Sequence, residues 1–183
     1  MLNTEPVWLK GAIKIESDHC DYREQEDISL LVIHNISLPP AGQESDFDNN
    51  YVEDFFTGQL NPATHPYFET IAGIRVSAHL FIKRDGSLVQ FVPLNYRAWH
   101  AGVSTFKGRT KCNDFSIGIE MQGTDELPYT DAQYETLAVV TKQIKEIYPD
   151  IVDDNIVGHS DIAPGRKTDP GDSFDWQRYF SQL

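Results

Sequence analysis

A chain of 183 residues suits one folded domain, 1–183, and can bury roughly 70% of its unfolded surface without covalent staples. Its 28 acidic against 15 basic side chains leave a formal charge of -13, which repels a polyanion and argues against a nucleic-acid partner. No stretch approaches a membrane span, and the first residues lack the uninterrupted apolar core of a signal peptide. The two scattered cysteines, Cys20 and Cys112, read as thiols of a reducing cytoplasm rather than a disulfide framework.

Taken in order, a short strand is expected near residues 12–15, followed by a polar loop to Asp27. Residues 28–35, ISLLVIHN, form a nearly continuous apolar run rich in β-branched side chains, the pattern of a strand covered on both faces. It ends in His34 and Asn35. Tyr51, Val52, Phe55 and Phe56 have helical spacing, and residues 67–74 suggest a helical turn leading to Arg75. Apolar residues flank Asp85-Gly86 in a hairpin pattern, with that dipeptide suited to positive backbone angles.

Residues 97–113 read as irregular and carry Trp99 and His100; an aromatic there either stacks on a sugar or plugs the core. FSIGIEMQ, residues 115–122, alternates strictly, so Glu120 shares a face with Ser116 and Gly118, which leaves room beside its carboxylate. A solvent-facing glutamate is the bland alternative. Thr130 and Gln133 make a capping box ahead of a helix to about Tyr148, with Leu137, Val140, Ile144 and Ile147 as its apolar face. A short strand over 155–158 precedes His159. Ser173 is expected to cap a last helix anchored by Phe174, Trp176, Tyr179 and Phe180.

The stretch GHSDIAPGRKTDPG, residues 158–171, gathers His159, Asp161, Lys167 and Asp169 between prolines and glycines that favour a loop over a helix. A hydrolytic zinc site takes three protein ligands and leaves a position for water. His34 and His159 at strand ends, with Asp169 across the loop, make one such set. Asp161 competes with Asp169, and His65, His79 and His100 are rivals that spacing alone does not remove. With a metal in place, Glu120 is the candidate general base, and Lys167 is placed to stabilise a developing oxyanion.

Six blocks in order, VIHNISLPP, RVSAHLFI, RDGSLVQFVP, RAWHAGVS, CNDFSIGIE and GHSDIAPGRKTDPG, resemble the AmpD family of cytoplasmic N-acetylmuramoyl-L-alanine amidases. The resemblance spans about residues 28–176. It implies an α/β (α+β) fold with a mixed central β-sheet flanked by helices, of the peptidoglycan-recognition-protein type. It further implies Zn2+ held by His34, His159 and Asp169, catalytic roles for Glu120 and Lys167, and substrate contacts from Asn35 and Arg75. Trp99 joins them as a candidate contact. Lys111 stands where that family would place an arginine, keeping the charge without the bidentate fork.

The implied reaction is hydrolysis of the amide between the lactyl group of 1,6-anhydro-N-acetylmuramic acid and L-alanine in cytoplasmic muropeptides. It belongs to peptidoglycan recycling, where removal of signalling muropeptides restrains β-lactamase induction. The expected state is a monomer with a small-molecule muropeptide as partner. Two other classes compete: a muropeptide-binding module of the same fold, which would lack a zinc ligand, and a zinc peptidase, although no HExxH helix is present.

Overall fold

The computed structural model describes residues 5–25 and 27–183, so the first four residues of the N-terminal reading, and Glu26 in the polar loop, lie outside it. The centre is a mixed sheet of six strands: β1 (Ile13–Lys14), β3 (Leu30–Ile36), β4 (Leu80–Ile82), β5 (Leu88–Gln90), β9 (Ser116–Gln122) and β10 (Ile156–Gly158). Their order is β1-β5-β4-β9-β3-β10, with β4, β9, β3 and β10 mutually parallel and β5 antiparallel to β4. The apolar run at 28–35 therefore becomes the buried strand its composition implies. The family-type mixed sheet is the observed architecture.

Each face of the sheet is covered. Leu31 and Ile33 of β3 join Ile117, Ile119 and Met121 of β9 against Leu137, Val140 and Ile144 of α3 (Asp131–Ile147). On the opposite face Leu30 and Val32 meet Ala101, Cys112 and Ile162. Further along that layer, Phe81 packs with Phe56 of α1 (Tyr51–Phe56) and Phe68 of α2 (Pro66–Thr70). Two short antiparallel pairs complete the strands among the described residues: β2 (Cys20–Tyr22) with β6 (Tyr96–Ala98), and β7 (Thr105–Phe106) with β8 (Arg109–Thr110). Residues 97–113 are thus more ordered than their irregular pattern suggested. These pairings join segments that hydrophobic periodicity cannot connect.

The expected capping box forms: Thr130 Oγ1 accepts the Gln133 N–H at 3.1 Å, and Gln133 Oε1 accepts the Thr130 N–H at 3.1 Å. Gln133 also donates to the carbonyls of Ile82 and Gln122, at 3.2 and 2.9 Å, tying the helix start to β4 and to the end of β9. The β4–β5 hairpin turns as expected, but only Gly86, at φ 84°, takes a positive angle. Asp85 instead accepts the Ser87 N–H on its side chain at 2.8 Å, the turn device open to a short carboxylate.

Three boundary readings change. The last helix, α5 (Trp176–Ser181), is capped by Asp175, whose carboxylate accepts the Arg178 N–H at 2.8 Å, rather than by Ser173. Ile147 is 44% exposed and Phe180 37%, because α3 and α5 have turned past the core by those positions; Phe174 and Tyr179 are the buried anchors. Within 158–171 one helical turn forms, α4 (His159–Ile162). Asp161 stabilises it by accepting the Gly158 N–H at 2.8 Å, and the Pro-Gly pair stops it afterwards.

Candidate active site

The site grows from strand register. In β3 and β9 His34 lies opposite Glu120, so the two side chains share the sheet face turned away from α3. In β10 Gly158 lies opposite Ile33, which delivers His159 beside His34 as α4 begins. The chain then loops through Pro164 and Gly165 and returns, with the Ser160 N–H donating to the Asp169 carbonyl at 3.0 Å. That return lays the Asp169 carboxylate over the two rings.

His34 Nδ1 lies 3.0 Å from His159 Nδ1 and 3.0 Å from Asp169 Oδ2, and His159 Nδ1 lies 3.1 Å from the same oxygen. The far nitrogens are engaged elsewhere: His159 Nε2 faces the Ala101 carbonyl at 3.0 Å, and His34 Nε2 faces His100 Nδ1 at 2.8 Å. A carbonyl only accepts, so His159 carries its proton on Nε2 and turns a bare Nδ1 toward the cluster. His34 Nδ1 either donates its proton to Asp169 Oδ2 or, in the other tautomer, turns a lone pair inward with the other two atoms, as a cation among them would require. Tetrahedral zinc, with ligand bonds of about 2.0–2.1 Å, sets its ligand atoms about 3.3 Å apart, close to what is found. The donor set therefore fits zinc.

Burial suppresses protonation of His34, whose pKa is pushed down to about 4. Burial alone would raise the Asp169 carboxyl, but its contacts with His159 and His34 reverse this and hold it below the usual range. Glu120 behaves oppositely. It is 8% exposed, its Oε2 has no hydrogen-bond partner among the described residues, and burial, then the neighbouring charge of Asp169, push its pKa well above the ordinary value. A carboxyl in that condition gains most from accepting a proton, which is what a general base does.

Asn35 and Lys167 border a cleft of about 590 Å³ beside the cluster, with Tyr67, Asp125, Arg166 and Asp169 also in its walls. The Asn35 amide donates to Asp125 at 2.8 Å and to the Pro170 carbonyl at 3.1 Å, pinning the end of β3 to the returning loop. Lys167 is exposed at its rim. Arg75 and Trp99 lie elsewhere: the Arg75 guanidinium sits 5.7 Å from the Trp99 ring centre, and Trp99 stacks on His19 at 6.2 Å. Arg75 and His19 line a second groove whose walls share no residue with the first. Lys111 is exposed, in a left-handed conformation at φ 58°.

Two of the sequence expectations about space and ligands take a different form here. The room beside Glu120 on β9 is occupied. A Cβ on Gly118 would meet the His100 ring at 2.5 Å, and Ser116 Oγ lies 3.0 Å from His100 Nε2. His100 is thus a neighbour of the cluster rather than one of its three convergent groups. Tyr67 and Asp125 in the cleft wall were also missed. An aromatic in a helical turn and an acid in a polar loop carry no local mark of function. Gly118 did carry a mark, since a glycine inside a strand signals a close approach.

His79 sits behind this layer. Its Nδ1 accepts the Gly118 N–H at 3.0 Å, and its Nε2 faces the Tyr96 carbonyl at 3.0 Å and the Arg23 guanidinium at 3.1 Å. Burial, then the Arg23 charge, push its pKa down to about 3. The folded chain keeps this ring neutral, while the unfolded chain protonates it below about 6.5, so its contribution falls as pH drops from about 6.5 toward 3. Between pH 6 and 4, wild-type stability is expected to fall faster than that of His79→Asn by up to about 1.4 kcal/mol per pH unit. The variant retains an acceptor for Gly118, and parallel urea midpoints for the two proteins would contradict the assignment.

Residues 24–172 match the family model described as N-acetylmuramoyl-L-alanine amidase. The chain belongs to that family. The amidase is 55% identical over 176 residues to the 1,6-anhydro-N-acetylmuramyl-L-alanine amidase AmpD of Escherichia coli strain K12, covering 96% of this chain and 93% of that protein. The crystal structure of a selenomethionine AmpD derivative superposes with a TM-score of 0.91 at 55% identity, covering 96% of each chain. A third relative is the amidase AmiD of E. coli, solved with anhydro-N-acetylmuramic acid-L-Ala-D-gamma-Glu-L-Lys. It is 30% identical, with a TM-score of 0.62 over 85% of this chain and 57% of that one. Among the described residues of the amidase, no helix is long and apolar enough to cross a membrane.

Proposed function

We propose that this amidase is a cytoplasmic zinc enzyme of peptidoglycan recycling. It cleaves the amide between the lactyl group of 1,6-anhydro-N-acetylmuramic acid and L-alanine. The observation that carries the metal reading is the meeting of His34 Nδ1, His159 Nδ1 and Asp169 Oδ2 within about 3 Å of one another. The substrate reading rests on the relatives: AmpD proteins share over half their residues with this chain across nearly its whole length.

Zinc at the cluster supplies Lewis acidity that polarises the amide carbonyl and lowers the pKa of a water toward about 7. The protein's residues do the rest. Glu120 takes the proton of the attacking water on its unpartnered Oε2 and later returns it to the leaving amine of L-alanine. Lys167, at the cleft rim, lays its ammonium against the charge that develops on the carbonyl oxygen. Asn35 keeps its strand end in place beside the cluster and offers the substrate a polar contact. Arg75, on the second groove, Trp99 beside it and Lys111 serve more distant parts of the stem peptide, where a cation meets a carboxylate.

Zinc-loaded protein given anhydromuramyl-peptide is expected to release free peptide and anhydromuramic acid, identified by mass, and a strong chelator is expected to abolish that release. An unchanged muropeptide would favour the binding-module alternative. Cleavage of ordinary free peptides would favour the peptidase.

A further inference from the structure

We infer that the dipeptide His100-Ala101 is the positioning element of the metal cluster, with the His100 ring setting the tautomer of His34. This rests on the metal reading above and goes beyond it, because neither residue reaches the cluster. The two ligand rings are oriented from one place in the chain. His100 Nδ1 meets His34 Nε2 at 2.8 Å, and the Ala101 carbonyl meets His159 Nε2 at 3.0 Å. Both distal nitrogens thus face an acceptor on consecutive residues, and both proximal nitrogens are left bare toward Asp169.

The direction of the His34–His100 bond follows from the chain of partners. For His34 Nδ1 to lie bare within 3.0 Å of a carboxylate oxygen and of a second bare nitrogen, its proton must sit on Nε2 and be donated to His100. His100 then carries its own proton on Nε2 and donates it to Ser116 Oγ, 3.0 Å away. The two rings cross nearly at right angles, 87°, with centres 5.0 Å apart, so the bond is made edge to edge rather than by stacking.

Three features hold the dipeptide itself. Asn113 Oδ1 accepts both backbone N–H groups, from His100 at 3.1 Å and Ala101 at 2.8 Å. Arg166 donates to the Ala101 carbonyl at 2.8 Å, leaving that oxygen's second lone pair for His159. Gly118 supplies the seat for the His100 ring, because any Cβ there would fall 2.5 Å from its Cγ and Nδ1. A side chain that only filled space would not need an acceptor atom at one point and a donor atom at another. Partners that orient ligand histidines in this way typically change metal affinity by about 10–100-fold when removed.

Two near-isosteric variants separate positioning from packing. In His100→Asn the side-chain oxygen takes the place of Nδ1 and still accepts from His34. In His100→Gln the amide reaches the place of Nε2, toward Ser116, and leaves no acceptor at the Nδ1 position. Zinc dissociation constants are read by competition with a chromophoric chelator, alongside thermal midpoints of the metal-free proteins. His100→Asn is expected within about threefold of wild type and His100→Gln weaker by about 10–100-fold, with similar metal-free midpoints. Equal zinc affinity in all three proteins overturns the inference, as does equal weakening of both variants. Wild-type protein that binds no zinc overturns the metal reading and this inference with it.

Discussion

Replacing Glu120 with glutamine is expected to lower turnover by roughly 10²-fold or more while zinc content stays at the wild-type level. The glutamine amide has nearly the same shape but accepts no proton at the pH of the reaction, so the loss isolates the base. The same substitution is expected to leave folding stability unchanged or higher. Glu120 is 8% exposed with Oε2 unpartnered, and burying an unpaired charged group costs about 1–3 kcal/mol or more. Loss of activity together with undiminished stability is the signature of a group kept for chemistry. Measured by product formation and urea unfolding, a variant with wild-type turnover would remove Glu120 from the mechanism. One that fell in activity only because it unfolded would make it a structural residue.

Asp169→Ala is expected to purify with little zinc and no measurable amidase activity, whereas Asp161→Ala keeps both. The two acids sit on the same short stretch and look interchangeable by composition. Their surroundings differ. Asp169 is buried and puts Oδ2 3.0 and 3.1 Å from the two ring nitrogens. Asp161 is exposed and spends its Oδ2 on the Gly158 N–H at 2.8 Å. Removing that one hydrogen bond costs about 0.5–1.5 kcal/mol of stability without touching the cluster. Metal analysis of the two purified variants decides the matter, and zinc retained by Asp169→Ala but lost from Asp161→Ala would exchange their roles.

Much of this site was readable before any fold was known. The β-branched run ending at His34 identified a strand covered on both faces, and the alternation over residues 115–122 identified a strand and the face that carries the candidate base Glu120. The density of prolines and glycines around Asp169 marked a segment held away from regular structure. The motif order over most of the chain pointed to the amidase family, which the family match over residues 24–172 bears out. These are local signals, set by side-chain periodicity and backbone stereochemistry within a few residues.

What the sequence by itself determined was where the main strands run, which residues are candidates for the chemistry and which family the chain joins. Only the tertiary structure decided who meets whom. His34 is 125 residues from His159 and 135 from Asp169, and parallel strands have no connecting turn to set their register, so the pairing of His34 with Glu120 is visible only in the folded sheet. The same holds for His100. Its ring fills the space that two small residues on β9 seemed to leave for Glu120, because packing density inside a protein leaves such gaps to whichever distant side chain arrives.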